Sequence, residues 1–522
     1  MADDRPLDFG GLVRYWAERR GGHTALDDGI HRIDYAALDR LSLDYAEAMR
    51  AAGLVKGDRI SWLGKNANLY FVLLIAASRS GLVMAPLGWR LTAPEIRYIL
   101  KDTGTTLLVF EPGFTDLARK ATEGVESVKH LVCTGHQAGF VAFDDWIHSL
   151  GKQPLEPVDI EDTVLQLYTS GTTGHPKGVL LNNRNLFGLK PGMVGADHEW
   201  ANMHEGDIYL GVMPVAHIAG TGQYTIPLWS GAAYWLRPEF DAEQVLDAIN
   251  RGVTHHFLVP TALQMVIDHP KARDTDFSGL RRMMYGAAPI PLELLRRAVE
   301  MMEADFTQHY GMTETTGTAV LLPASQHDPK GNPRMRAAGK ALPGVEAMIV
   351  GPDRRELPRG EIGEVCIRGS CNTVGYWNNP EKTAETIDPD GWLHTGDAAY
   401  MDEEGYIFIQ DRLKDMIISG AENIYPAEVE NAIFGHPDVR EVAVIGVPDE
   451  KWGEAVKAVV SAKPGHQIDP ASVIAWARER IAAFKAPKSV DVVDELPRSS
   501  NGKILRRELR DPYWVGRERR VN

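Results

Sequence analysis

Hydrophobic positions along the first four hundred residues switch repeatedly between two spacings. Residues 35–52 place Leu38, Leu41, Tyr45 and Met49 three or four apart, and Gly53 follows as a stop. That spacing predicts an amphipathic helix. Residues 105–110, 207–213 and 256–259 are short apolar runs that read as buried strands, with helices predicted over 244–250 and 292–303. The alternation predicts an α/β fold whose large N-terminal domain consists of helix-covered sheets, parallel in the main. After about Val345 the turns come closer together, and 365–368 and 406–410 read as strands of a β-rich subdomain. Past Lys414 a compact α+β pattern follows: helices over 426–434 and 470–483, strands over 442–447 and 455–462. This predicts a domain over 1–411, a hinge at 412–414 and a small, mobile α+β domain over 415–522. The junction Asp411-Arg412-Leu413-Lys414-Asp415 is charged and has no Gly or Pro, which suits a defined hinge.

Composition narrows the function classes. The 522 residues are 44% hydrophobic and 24% charged, ordinary globular values that exclude wholesale disorder. Lys plus Arg is 56 and Asp plus Glu is 71, a net charge of −15 that argues against nucleic acid as a partner. Cys133, Cys366 and Cys371 are too few and wrongly spaced for a disulfide framework or a zinc site, so Cys366 reads as core packing. The start is acidic and unlike a secretory or transit peptide. The longest apolar run, residues 70–77, is too short to span a bilayer. No integral membrane segment and a cytoplasmic location are the expectation.

The densest chemistry lies in Tyr168-Thr169-Ser170-Gly171-Thr172-Thr173-Gly174-His175-Pro176-Lys177-Gly178, which follows the apolar run 164–167. Glycines let backbone approach a ligand, and successive N–H groups and hydroxyls form a nest for phosphate oxygens. Lys177 adds a point charge. The Gly-x4-Gly-Lys spacing of a Walker loop is absent.

This stretch resembles the signature of the adenylate-forming superfamily, in its acyl-CoA synthetase branch: Thr169 to Gly178 match throughout. The resemblance continues in order through Gly286-Ala287-Ala288-Pro289, Tyr310-Gly311-Met312-Thr313-Glu314, Thr395-Gly396-Asp397, Asp411-Arg412-Leu413-Lys414 and Asn501-Gly502-Lys503-Ile504-Leu505-Arg506-Arg507. It implies an ATP-dependent carboxylic acid:CoA ligase that works through an acyl-adenylate. Its cofactors and partners would be ATP, Mg²⁺, coenzyme A and a small-molecule acid, and it leaves a homodimer open. Lys503 would be the catalytic lysine of the first half-reaction, carried by the mobile domain, and Lys414 the hinge residue. Lys177, Thr313 and Glu314 would share the catalytic work.

The nucleotide would be held by the 169–174 loop, Gly286 to Pro289, His309 to Thr313, Asp397, Arg412 and the two lysines Lys177 and Lys503. Tyr310 can stack on adenine, with small residues at Gly286 and Ala287 letting backbone line its edge. Glu314 is a natural Mg²⁺ ligand, because a carboxylate beside phosphates needs an intervening cation. Asp397 can accept from both ribose hydroxyls, and Arg412 can reach ribose or phosphate.

Departures from the family pattern bear on the acid. His309 stands where relatives often have Gly, so it either faces the acid or points away and caps a neighbour. His217 and Ala219 belong to the segment that resembles the pocket mouth, where Ala216 replaces a bulky aromatic. Those residues imply a medium-chain, branched or ring-bearing hydrophobic acid. The alternative is a stand-alone acyl-AMP ligase that loads a carrier protein.

Overall fold

The computed structural model describes residues 4–169, 176–419, 422–498 and 504–515. Among these, four sheets of nine, eight, four and five strands organise the chain. The nine-stranded sheet runs in the order Lys340–Ala341, Val320–Leu322, Asp305–Tyr310, Arg282–Gly286, His255–Leu258, Ile208–Gly211, Ala233–Leu236, Thr24–Asp27, Arg32–Asp34. Its centre is parallel, and the strands at both ends turn antiparallel. The eight-stranded sheet is likewise parallel through Arg59–Leu63, Val83–Pro86 and Leu107–Phe110. Thr163–Thr169 and Lys177–Asn182 make an antiparallel pair in it, with Thr169 opposite Lys177.

The two large sheets share one hydrophobic core. The helix Asn68–Ser80, which contains the apolar run of the sequence, is buried on every face. A helix that is apolar all round belongs in the interior of a large domain. The helix Tyr35–Ala51 instead buries one stripe, Leu38, Tyr45 and Met49, as its spacing requires.

Residues 345–412 form the four-stranded antiparallel sheet Val345–Val350, Gly363–Gly369, Leu393–Met401 and Ile407–Arg412. Beyond it, Val439–Asp449 and Gly453–Ala462 pair along their length. Their period of two separates two small cores. Val442, Val444, Val456 and Val460 pack with Val429 and Val473 on one face, and Ala443, Ile445, Val459 and Leu496 pack on the other. These clusters are distinct from the large one, with Phe434 packed against both the first of them and the large core.

Two expectations needed adjustment. The predicted strand 105–110 begins at Leu107, because Thr105 is spent on hydroxyl contacts with Ser61 and Thr103. The predicted helix 470–483 ends at Arg478.

Candidate functional site

A cleft of about 2590 Å³ opens where strands of both large sheets end. Thr169, Tyr310, Ala287, Met213, Val259 and Pro86 stand at or just past the carboxyl ends of their strands, and all line it. In open α/β sheets ligands bind at that edge. The opposite wall comes from the four-stranded sheet and the C-terminal unit, including Asp397, Arg412, Lys414 and Arg506.

Tyr310, Asp397 and Arg412 meet there. The Tyr310 hydroxyl donates to Asp397 Oδ2 at 2.7 Å, across 87 residues of sequence. Arg412 Nε lies 2.7 Å from Asp397 Oδ1. Asp397 and Arg412 are cross-strand partners in the antiparallel pair Leu393–Met401 and Ile407–Arg412, so register alone sets them side by side. Burial, and then the Asp397 charge, raise the Tyr310 phenol well above its ordinary range. It therefore stays a donor. A carboxylate has about four acceptor positions, so Asp397 keeps capacity for further hydroxyls.

Glu314 sits in the short turn Thr313–Thr315 and is 5% exposed. Its Oε1 accepts the Tyr376 hydroxyl at 2.8 Å, and its Oε2 makes no hydrogen bond to a described residue. Lys177 and Arg412 both feel its charge. Burial, and then Lys382, lower the Lys177 amine from its usual range. Gly311 permits the turn to fold back: a Cβ there would lie 1.7 Å from the Gly317 carbonyl oxygen. Ala287 holds φ = 66°, a left-handed conformation rare for a residue with a Cβ.

Gly286 is placed differently from the sequence expectation. It is buried within its strand and does not line the cleft. A Cβ there would come within 2.1 Å of the His309 carbonyl oxygen on the neighbouring parallel strand. Its small size serves strand packing, and Ala287 to Pro289 are the residues that reach the cleft.

His309 closes the inner end of the cleft and also walls a smaller cavity of about 90 Å³ behind it. Its ring bonds Thr307 Oγ1 through Nε2 at 3.0 Å and Thr318 Oγ1 through Nδ1 at 2.9 Å. Both nitrogens are thus engaged, so the imidazole supplies shape to the cavity and no free polar atom. Burial, and then nearby Lys190, push its pKa down to about 3, so it is neutral. Ala219 lines both spaces, whereas His217 and Ala216 line the outer cleft. Burial lowers His217 to about 4.

At the junction, Lys414 lines the cleft, and burial lowers its amine from the usual range. Ser170, Gly171, Thr172, Thr173, Gly174 and Lys503 lie outside the described residues.

An AMP-binding enzyme model matches residues 13–377, and the AMP-binding enzyme C-terminal domain matches residues 428–503. The first alone spans more than half of the chain. The chain belongs to the AMP-binding enzyme family, in its acyl-CoA synthetase branch. A fatty acid–[acyl-carrier-protein] ligase, ScoC, of Streptomyces coeruleorubidus is 42% identical over 94% of this chain and 93% of its own. A feruloyl-CoA synthase of an Amycolatopsis species is 38% identical over 93% of this chain and 95% of its own. Among solved structures, ATP-bound MatB from Rhodopseudomonas palustris superposes with a TM-score of 0.85 at 31% identity, covering 97% of this chain and 99% of that one. No described helix is long and apolar enough to cross a membrane.

Within this AMP-binding enzyme several site residues escaped the sequence reading. Tyr376, which holds Glu314, sits in an unremarkable Gly-Tyr-Trp stretch; its signal is spatial. Lys190, Trp200 and Phe257 wall the small cavity from three separate segments. Asp411 is buried and takes bonds from Arg506 at 3.2 Å and the Ala427 N–H at 2.9 Å. Arg506 also grips Glu430 with two bonds, of 3.0 and 2.6 Å. Away from the cleft, Glu364, Cys366 and His394 are the one group among described residues with metal-ligand proximity. His394 Nδ1 bonds Glu364 at 2.9 Å, and burial pushes the Cys366 thiol up to about 12, so the cysteine is a core residue as its strand predicted.

Proposed function

We propose that this enzyme joins a small carboxylic acid to the thiol of coenzyme A in two half-reactions. A carboxylate oxygen of the acid attacks the α-phosphorus of ATP, pyrophosphate leaves, and an acyl-adenylate forms. The thiol sulfur then attacks the acyl carbonyl carbon, AMP leaves, and the thiol proton is lost to solvent. The observation that carries this reading is the convergence of Tyr310, Asp397 and Arg412 with Glu314 on one cleft at the strand ends.

In this reading Tyr310 and Ala287 to Pro289 hold the adenine. Asp397, paired with Arg412, receives the ribose hydroxyls. Thr169, Lys177 and Thr313 hold phosphate oxygens together with the 170–174 segment. Glu314 would hold Mg²⁺ through Oε2. One hard carboxylate oxygen fits an ion that keeps most of its waters and takes phosphates as ligands. When bound, the ion neutralises phosphate charge. The C-terminal unit turns about 412–414, with Lys414 as pivot, and Lys503 serves the first half-reaction only.

The cavity behind His309 receives the acyl group. Its volume of about 90 Å³ is small beside the roughly 2590 Å³ of the cleft. That favours a short acid, with a branch or small ring, over the medium-length chain implied by the motif alone. A carrier-protein thiol in place of coenzyme A is the second reading, and the activity named for the Streptomyces coeruleorubidus relative favours it. Pyrophosphate release over a panel of acids, followed by AMP release with coenzyme A or a phosphopantetheinylated carrier protein, tests both. An enzyme that releases no pyrophosphate with any acid refutes the proposal.

A further inference from the structure

The small acyl cavity is lined by a lysine amine that no described side chain pairs. Lys190 lines it and is 7% exposed. No carboxylate lines the cavity among the described residues. Among those residues, the Lys190 amine has no hydrogen bond or ion pair; its neighbour is the Trp200 ring, 5.6 Å from Nζ. Trp200 Nε1, on the same wall, is also buried without a hydrogen bond among the described residues, whereas other polar groups of the wall are paired. His309 is bonded by Thr307 and Thr318, Asn185 donates to the carbonyls of Ser370 and Asn372, and Thr225 donates to the Gly222 carbonyl.

A buried amine without an acceptor is costly, since burying a charge or a polar group unpaired forfeits its hydration. A hydrophobic acyl chain would leave that cost in place. An acceptor on the ligand would remove it. Burial, and then the positive charge of Arg5, push the amine down to about 7, the behaviour of a lysine that lacks a partner. The cavity runs from Ala287 and Gly311, on the wall shared with the cleft, to Lys190, Met193 and Trp200. An acid whose reacting carboxylate lies at the first end thus presents its far end to the amine.

We propose that Lys190 is a specificity-determining residue, and that the preferred substrate is a short acid bearing a second carboxylate at the end remote from the one that is activated. The inference rests on the adenylate-forming reading above. It replaces an apolar acyl tail with an anionic terminus.

The test uses matched pairs: succinate with butanoate, glutarate with pentanoate, adipate with hexanoate. Pyrophosphate release gives kcat/KM for each with the wild-type enzyme, Lys190→Met and Lys190→Arg. Calorimetric binding of the corresponding acyl-sulfamoyl adenosines gives an affinity independent of turnover. The wild type should favour the best dicarboxylate over its monoacid by about 10–100-fold, the worth of one hydrogen bond to a charged group. Lys190→Met should invert that ratio, and Lys190→Arg should retain a preference for the dicarboxylate. A wild type that turns over monoacids better than every diacid overturns the assignment while leaving the ligase reading intact. So does an unchanged ratio in Lys190→Met. Should Lys190→Met not fold, the wild-type ratio and the paired affinities decide alone. An absence of pyrophosphate release with every acid, alongside equal affinity for both analogues, overturns both readings.

Discussion

Replacing Tyr376 by Phe removes one hydroxyl and tests what Glu314 is for. The strand Gly375–Tyr376 is held by pairing with Val179 and Leu180, and the Tyr376 N–H bonds Thr383, so a phenyl ring should stay in place. What is lost is the 2.8 Å bond to Glu314 Oε1. Burial, and then the Glu314 charge, raise the Tyr376 phenol far above neutrality, so it donates at any working pH. A hydrogen bond to a charged group is worth about 1.5–3 kcal/mol. If Tyr376 aims Glu314 at a metal–nucleotide complex, that energy should appear as a loss of about 10–100-fold in kcat/KM for Mg·ATP. The midpoint of the Mg²⁺ dependence should rise as well. Thioester formation from a supplied acyl-adenylate should be nearly unaffected, because the metal-bound triphosphate has left by then. Pyrophosphate release against Mg²⁺ and ATP, and AMP release from the adenylate, give the two readings. A lower melting temperature with unchanged Mg²⁺ and ATP dependence would refute the reasoning and make the Tyr376–Glu314 bond purely structural.

Three further outcomes are expected. Lys503→Ala should slow adenylate formation by about 10²–10³, the usual cost of removing one preorganised charge; equal loss in both half-reactions would remove Lys503 from its assigned step. Gly311→Ala should destabilise the fold by about 2–3 kcal/mol, because the colliding atom is backbone and cannot swing aside; an unchanged thermal midpoint would contradict this. Asp411→Asn should alter the pH dependence of stability. Burial, and then Glu430, raise Asp411 from 3.8 to about 6 against the pull of Arg506. Its stabilising contribution is therefore complete below about pH 4 and lost as pH rises through about 6, a change of about 3 kcal/mol. Melting curves of wild type and variant should diverge across that window, and parallel curves would sink the assignment.

The fold was legible where periodicity was strong and local. The stripe of Leu38, Tyr45 and Met49 told its own helix, and the texture change near Val345 marked a real change of sheet. Motif residues were legible for their chemical type, and several sit on one cleft. The contacts were less so. Gly286 looked like a ligand-facing glycine because sequence cannot distinguish a missing side chain needed by a ligand from one needed by the next strand. His309 looked like a polar intruder, because its two threonine partners lie two and nine residues away on a strand and a turn whose geometry no spacing rule supplies. Lys190 carried no signal. A single lysine beside Pro and Gly in Gly188-Leu189-Lys190-Pro191-Gly192 reads as a turn residue, and only the packing of Trp200 and His309 around it makes it exceptional.

The arginine network at the junction bears on how one protein could run two half-reactions. Asp411 precedes the proposed hinge at 412–414, whereas Glu430 follows it, and Arg506 binds both. A turn about the hinge would therefore strain one of these bonds and leave the other intact. The two contacts to Glu430, at 3.0 and 2.6 Å, lie within the C-terminal unit and can travel with it. The Arg506–Asp411 contact, at 3.2 Å, crosses the hinge, as does the 2.9 Å bond from the Ala427 N–H to the same carboxyl. The charge of that carboxyl is already disfavoured by burial. Losing a partner costs least for a group that can take up a proton. The two bonds that would give way in rotation thus fall on one carboxyl, which can take up a proton when they are lost. Arg510, 3.3 Å from Asp415 just past the hinge, would stay with the moving unit. On this arrangement the segment that follows Lys503 is fixed to the small domain and only latched to the large one. In the proposed reaction such a latch would let the small domain turn as a whole about 412–414.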